Sequence, residues 1–281
     1  MLAPQLLASP LAQQIGVALV ATSPGLVTSP FHFIATGYGL SVAALAIHAL
    51  QGALARGQVS PAVWAQGGLM AMFGMRLATF LHFRTQAESY KARPEMQEVK
   101  QRMAAVSLAK KVPMWVGVSA MYAAMCSPLQ YAALSVQEQS TPLSLAATVV
   151  GLSAMAAGLV LEAGADSQKT AFKAQHPTRF CTTGFYSFCR HPNYAGEILF
   201  WAGNFLAALP TLTKSPSRWM WSGTGLLLII QVMVGAVKRL AVQQETKYAE
   251  NKSTATQWKL YTSSTPGLLI PGVAWPQKKK Y

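Results

Sequence analysis

Charged side chains are scarce in this sequence, and acidic ones are the scarcest. Only 11% of the 281 residues are charged, and nine of them are Asp or Glu, whereas a soluble domain has about 25% charged residues. No charge occurs in 1–55, 139–161 or 219–237. Each of these runs reaches the ~20 apolar residues that cross a bilayer as a helix. The composition therefore excludes an ordinary soluble domain.

Several familiar signatures of soluble enzymes are also missing. The chain contains no G-x-G-x-x-G, no Walker loop and no G-x-S-x-G, which are the usual marks of dinucleotide, phosphate and nucleophile sites. Its three cysteines, Cys126, Cys181 and Cys189, lack zinc-type spacing and are too few for a disulfide framework. No metal site is predicted. A nucleotide site in this chain would have to lie between transmembrane helices.

The apolar runs predict an all-α protein, a polytopic transmembrane helical bundle of six or seven spans. The six firm candidate spans are 31–53, 61–83, 112–134, 142–164, 194–212 and 219–237. We divide the chain into an apolar, proline-broken N-terminal segment (1–30), which is the candidate extra span, one transmembrane domain (31–272) and a basic C-terminal tail (273–281). After 237 the chain is predicted to be helical to about Lys252. Beyond that point it is predicted to be irregular, because prolines follow.

The excess of positive charge has an explanation in membrane topology. The chain carries a formal net charge of +14, and 19 of its 23 Lys and Arg residues lie in 84–111, 165–192 and 238–281. With six spans these three segments lie on one side, and the positive-inside rule places that side, with the C-terminus, in the cytosol. The alternative, nucleic-acid binding, is not supported, because no nucleic-acid-binding module is present.

The segment most informative about function is G-F-Y-S-F-C-R-H-P-N-Y-A-G-E-I-L, 184–199. It places polar and ionisable side chains at the entrance to a predicted span. A charge taken into lipid costs at least ~2.5–3.5 kcal/mol, so Glu197 needs a partner, a water-filled cavity or a ligand. If the helix begins at Pro192 or Asn193, then Asn193 and Glu197 lie one turn apart on the same face.

A second polar segment lies at the end of the preceding span. Glu162, Asp166 and Lys169 are spaced i, i+4 and i+7, which places them on one side of a helix. Taken singly, these residues have simpler interpretations: a surface pair for Asp166 and Lys169, and a helix-starting role for Pro192. Taken together, the two segments suit a ligand with phosphate and hydroxyl groups, which cations and carboxylates bind respectively.

These residues carry a family resemblance. The stretch L-E-x-x-A-D-x-Q-K-x-x-F-K, followed by G-F-Y-S-F-C-R-H-P-N-Y-x-G-E-I-L-x-W, resembles the uncharacterised membrane branch of the steroid 5-alpha-reductase superfamily. Part of the motif, R-H-P-x-Y-x-G, is shared with isoprenylcysteine carboxyl methyltransferases. The resemblance covers roughly 65–272. It implies six or seven transmembrane helices and NADPH held in a cytosol-facing cavity of the C-terminal half.

The resemblance also implies roles for individual residues. Asp166 would contact the nucleotide, Arg190 and His191 would meet phosphate or ribose, and the nicotinamide end would be positioned by Asn193, Tyr194 and Glu197. To these we add Lys169 as a phosphate partner, because it lies near Asp166 on the same helix. Tyr194 and Glu197 are the candidate catalytic residues, as the acid or phenol that polarises the acceptor. The Glu or Gln and Tyr pair that activates substrate in steroid reductases has no counterpart in the early spans.

The sequence thus favours a membrane oxidoreductase that transfers hydride from NADPH to an activated double bond of a lipid or sterol-like substrate. One alternative is an S-adenosylmethionine-dependent membrane methyltransferase. Arg239 and Glu245 resemble the Arg/Glu pair that lies late in the sequence of those enzymes. The other is a catalytically silent membrane protein on the same scaffold. The terminal K-K-K-Y resembles a dilysine retrieval signal, which favours the endoplasmic reticulum. The alternative is a plain basic end attracted to anionic lipid. A plastid or bacterial membrane stays an alternative.

Overall fold

The computed structural model describes residues 9–57, 60–87, 91, 94–135, 141–267, 269–270 and 272–273. Within these residues the protein is all-helical and contains no β-strand. The helices are α1 Pro10–Thr22, α2 Pro24–Val27, α3 Phe31–Ile34, α4 Thr36–Ala55, α5 Pro61–Gln86, α6 Pro94–Ala104, α7 Leu108–Leu134, α8 Pro142–Gln175, α9 Phe185–Phe188, α10 Pro192–Ala207, α11 Leu209–Leu212, α12 Pro216–Ala249 and α13 Lys252–Ser264. Proline begins seven of them, which fits its fixed φ and its missing N–H at a first helical position.

Among the described residues four helices, α4, α7, α8 and α12, are long and apolar enough to cross a membrane. The protein is therefore an integral membrane protein of helical spans. Four predicted spans, 61–83, 112–134, 142–164 and 219–237, each lie within one helix, whereas 31–53 is divided between α3 and α4 and 194–212 between α10 and α11. Helix α10 has 16 residues and α1 has 13, about 24 and 20 Å at ~1.5 Å per residue. Both are shorter than the ~30 Å hydrocarbon core. The number of six or seven spans stays a prediction, as does the division at 30 and 272.

The helices form two compact units. The first contains Met1–Leu152 and Asn204–Leu227. In it α4 and α5 approach through glycines, since a Cβ on Gly74 would lie 2.6 Å from the Gly39 carbonyl oxygen. The buried amide of Gln66 donates to Asn204 Oδ1 (2.8 Å), and Asn204 donates to the Met125 carbonyl (3.0 Å). These polar bonds satisfy side chains that would otherwise be costly to bury.

The second unit contains Ser153–Gly203 and Leu228–Tyr281. Its framework is the C-terminal half of α8 packed on α10. A Cβ on Gly158 would lie 2.6 Å from the Gly196 carbonyl oxygen, and one on Gly196 would lie 2.6 Å from the Glu162 backbone nitrogen. The two backbones therefore touch, as small residues allow in helix pairs of membrane proteins. All the predicted site residues belong to this unit.

The prediction for the C-terminal region was partly wrong. Helix α12 ends at Ala249, close to the predicted end, but 252–264 form a further helix, α13, where irregular chain was expected. Asn251 caps this helix by accepting from the Ser253 N–H (2.9 Å), and Trp258 and Tyr261 on its inner face are buried. Capping and burial stabilise α13, and it ends at Ser264 before Pro266, so the proline does not interrupt it. The lysines of the terminal K-K-K-Y lie outside the described residues.

Candidate functional site

The polar face predicted on α8 is present and buried. Because α8 continues to Gln175, Glu162, Asp166 and Lys169 lie within one continuous helix. Glu162 is 2% exposed and Asp166 is 6% exposed. Asp166 is therefore not part of a solvated surface pair. Carboxylates this buried have to be stabilised by donors or by cations.

A hydrogen bond joins the two polar segments. Helix α10 begins at Pro192, which is one of the two predicted starting residues. The next residue, Asn193, donates from Nδ2 to Asp166 Oδ1 at 3.1 Å. Glu197 follows one turn later and is 8% exposed. Asn193 and Glu197 thus occupy the same side of α10, with Asn193 bound to α8.

The contacts between α8 and α10 advance in antiparallel register. Gly158 faces Gly196 and the Phe200 backbone, Glu162 faces Gly196, and Asp166 meets Asn193. Each turn forward on α8 therefore matches a turn backward on α10. Lys169, the next residue on this side of α8, continues this direction toward the chain that precedes Pro192.

The loop between α8 and α10 is fixed to α8 by a side-chain amide. Gln168 Nε2 donates to the Thr183 carbonyl (2.8 Å), and the Phe185 N–H donates to Gln168 Oε1 (3.1 Å). Gly184 has φ +57°, and a Cβ there would lie 2.2 Å from Gln168 Nε2. The glycine of G-F-Y-S is thus required both by its backbone conformation and by this close contact.

Arg190 is held by the C-terminal chain. Its backbone N–H donates to the Gly267 carbonyl (2.9 Å), and its Nη2 donates to the Pro266 carbonyl (3.1 Å). Its Nε is buried and has no hydrogen-bond partner among the described residues. Burial lowers the pKa of Arg190, whereas the neighbouring Tyr261 and Glu245 act to raise it. A guanidinium remains charged under such shifts.

His191 is buried in its neutral form. It is 1% exposed, and burial, followed by the charges of Lys169 and Arg190, lowers its pKa to about 3. Its Nε2 is buried without a partner in the described chain, and its ring meets the edge of the Tyr194 ring at 5.9 Å. A neutral imidazole offers either a donor or an acceptor at Nε2.

A small cleft lies beside these residues. Its volume is about 30 Å³, which is the room that one water needs. Of the residues that the structure describes, three cations and no carboxylate line it. The lining residues are Lys169, Lys173, Phe180, Cys181, Tyr186, Arg190, Gln244, Tyr248, Trp258 and Tyr261. The cleft is electropositive and can take a single oxygen of an anion, but not a nucleotide ring.

Aromatic rings form one wall of the cleft. Phe180 stacks on Tyr261 at 5.6 Å and meets Trp258 edge-on at 4.9 Å. Sequence reasoning missed these residues. The one available signal was the i, i+3 spacing of Trp258 and Tyr261 within a polar tail, which indicates a buried helix face.

The structure brings most of the predicted site residues into contact with one another or with the cleft. Asp166 and Asn193 are bonded, Lys169 and Arg190 line the cleft and act on His191, and Tyr194 contacts His191. Tyr194 also packs on the core cluster of Val237 and Leu269. Glu197 is buried on α10. In the described residues no group of His, Cys, Asp and Glu side chains is arranged to hold a metal ion.

Fold and site together define a class: an all-helical integral membrane protein with a buried, cation-rich polar site in its second unit. Comparison with protein families then gives the particular family. The chain belongs to the family DUF1295, described as a protein of unknown function, which matches residues 27–265. No curated protein and no solved structure matches the chain.

Proposed function

We propose that the protein is a membrane oxidoreductase that transfers hydride from NADPH to an activated double bond of a lipid or sterol-like substrate. The observation that carries the proposal is the hydrogen bond between Asn193 and Asp166. It joins the two motifs that resemble the steroid 5-alpha-reductase superfamily into one buried polar site. Lys169 and Arg190 supply positive charge beside it.

The side chains present have the chemistry that a phosphorylated dinucleotide requires. Arg190 Nε and His191 Nε2 are buried polar atoms that lack partners among the described residues, and such atoms are costly unless a ligand or water satisfies them. Cations suit phosphate oxygens, whereas carboxylate and amide groups suit ribose hydroxyls and the nicotinamide amide. In this proposal Lys169, Arg190 and His191 bind the phosphate and ribose portions. Asp166, Asn193 and Glu197 bind hydroxyl and amide groups.

The chain's own contribution to the reaction would be orientation and proton control. The chemistry that NADPH would supply when bound is a hydride, two electrons with one proton, to one carbon of the double bond. Tyr194 or Glu197 would polarise the carbonyl conjugated with that bond, so that electrons move from the double bond to the carbonyl oxygen. A proton from solvent would then add to the neighbouring carbon as the electrons return from the oxygen, and the product would be the saturated compound.

One observation favours the methyltransferase alternative. The charge of Glu245 acts on Arg190, so one member of the late Arg239/Glu245 pair influences the site. An S-adenosylmethionine-dependent enzyme would transfer a methyl group, and a silent scaffold would bind neither ligand. These three possibilities differ in which small molecule stabilises the protein.

The test is a thermal shift assay on the detergent-purified protein with NADPH and with S-adenosylmethionine. NADPH should raise the melting temperature. Stabilisation by the methyl donor alone would refute the reductase proposal, and no shift with either ligand would support the silent scaffold.

Variants then test the site. Arg190→Ala and Glu197→Gln should weaken the NADPH response, because each removes a proposed contact. The matched controls are Arg179→Ala and Glu250→Gln, which change exposed residues of the same unit and should respond like the parent. Equal NADPH responses in all four variants would show that the site is misplaced.

We also infer six or seven spans, a cytosolic C-terminus and residence in the endoplasmic reticulum. The support is the basic bias of 84–111, 165–192 and 238–281 and the terminal K-K-K-Y. A glycosylation acceptor fused to the C-terminus should remain unmodified in cells, whereas one inserted near Lys214 should be modified. Modification of the C-terminal acceptor would show that the orientation in the membrane is the reverse of the one inferred.

A further inference from the structure

The Arg190 segment has no regular structure of its own. Helix α9 ends at Phe188 and α10 begins at Pro192, so 189–191 lie between the two helices. The His191 carbonyl accepts from the Ala195 N–H in the first turn of α10 (3.1 Å). Both the backbone and the side chain of Arg190 instead bond to one segment, through the carbonyls of Gly267 (2.9 Å) and Pro266 (3.1 Å). The position of Arg190 is therefore set by chain that follows the last long helix.

The same segment holds the preceding residues of the loop. The Tyr261 hydroxyl donates to the Tyr186 carbonyl at 2.7 Å, and the Thr265 hydroxyl donates to the Ser187 carbonyl at 3.4 Å. We call 261–267 the C-terminal clamp. Its four hydrogen bonds to 186–190 connect positions 75 to 78 residues apart in sequence.

Tyr261 is well suited to anchor the clamp. It is buried, and its ring packs in the cluster of Phe180, Tyr248 and Trp258. Burial raises the pKa of its phenol, so the hydroxyl keeps the proton that it donates. A buried carbonyl that loses such a donor is left unsatisfied, which opposes the loop's native position.

We propose that the C-terminal clamp positions Arg190 for ligand binding and that Tyr261 is a positioning residue of the site. Tyr261 acts through the Tyr186 carbonyl and needs no contact with the ligand's reacting atoms. The part of this inference that concerns NADPH rests on the proposed function. The part that concerns the loop does not.

The first measurement needs no cofactor. Cys189 lies in the loop and is 3% exposed, and burial raises the pKa of its thiol, so it should react slowly with a maleimide. Tyr261→Phe keeps the ring and removes the donor. We expect Cys189 to react about fivefold faster, as the loss of one buried hydrogen bond allows. Peptide mass spectrometry assigns the modified cysteine.

Two controls keep this measurement decisive. Ser263→Ala removes an exposed hydroxyl that donates to the Leu260 carbonyl of its own helix and should leave the Cys189 rate unchanged. Cys126, buried in the first unit, reports general unfolding. If Cys126 reacts faster in Tyr261→Phe, that variant is partly unfolded. The experiment then uses Thr265→Val, which removes the bond to the Ser187 carbonyl. An unchanged Cys189 rate in the variant that keeps Cys126 protected overturns the inference.

The second measurement tests positioning through Arg190. Tyr261→Phe should weaken NADPH binding about fivefold. Added to Arg190→Ala, it should weaken binding no further, because its effect passes through the missing guanidinium. Additive losses would overturn the positioning role. A parent protein that ignores NADPH would refute the proposed function alone, and the Cys189 rates would still decide the clamp.

Discussion

The neutral, buried state of His191 predicts a specific dependence of stability on pH. The side chain is 1% exposed, and burial together with the charges of Lys169 and Arg190 lowers its pKa to about 3, against about 6.5 in an unfolded chain. Below pH 6.5 the unfolded chain therefore binds a proton that the folded protein does not accept. This contribution to stability is complete above pH 6.5 and is lost progressively as the pH falls toward 3.

The size of the effect follows from linkage. Each pH unit between the two pKa values changes the free energy of unfolding by about 1.36 kcal/mol. Between pH 7 and pH 5 the contribution from His191 alone is a loss of about 2 kcal/mol. For a protein of this size that corresponds to a fall of roughly 4–8 °C in melting temperature.

The assay compares melting curves of detergent-purified protein at pH 7 and pH 5. The glutamine in His191→Gln cannot titrate. Between pH 7 and pH 5 the melting temperature of this variant should therefore fall by fewer degrees than that of the parent, and the difference should equal the roughly 4–8 °C attributed to His191. His176→Gln is the matched control, because His176 is exposed in the same loop, and it should retain the parental pH dependence. If the parent and His191→Gln lose the same number of degrees, the histidine is not held neutral by its surroundings and the reasoning fails.

Three further predictions concern packing and charge in the second unit. Gly196→Ala should lower the melting temperature through an overpacking cost of about 1–3 kcal/mol, whereas Gly223→Ala, whose Cβ would meet one atom at 4.0 Å, should not lower it. Asn193→Ala should cost about 1–3 kcal/mol in a denaturation assay, because the buried Asp166 carboxylate loses a donor. Glu245→Gln removes a negative charge that acts on the cleft guanidinium, so NADPH should bind severalfold more tightly at low salt and less so at high salt.

The helices of this protein were largely predictable because their signals are local. Uncharged runs long enough to cross a bilayer left few alternatives to helix, and proline marked where helices such as α5 and α10 begin. Helix α13 was missed because each sequence feature that indicates it is weak when taken alone. Its polar composition conceals a buried face of two aromatic residues, and only the tertiary contact with Phe180 shows what that face packs on.

The site was predictable as a set of residues but not as a set of contacts. The i, i+3 spacing placed Asp166 and Lys169 on one side of a helix, and the cost of burying Glu197 indicated that the second segment was special. Nothing local predicts that Asn193 bonds to Asp166, because register between two helices is set by packing. Nor does the sequence distinguish Gly158 from the other glycines of an apolar helix.

The register between α8 and α10 explains why the motif P-N-Y-A-G-E mixes polar and small residues. Gly196 lets the two backbones meet at Glu162, and that contact brings Asp166 level with Asn193, one turn earlier on α10. A larger residue at 196 would separate the helices and lengthen this hydrogen bond. The glycine is therefore as much a determinant of the polar site as the residues that form it. Gly196→Ala should accordingly weaken NADPH binding even where stability is restored, whereas a purely structural role would leave the affinity of the folded fraction unchanged.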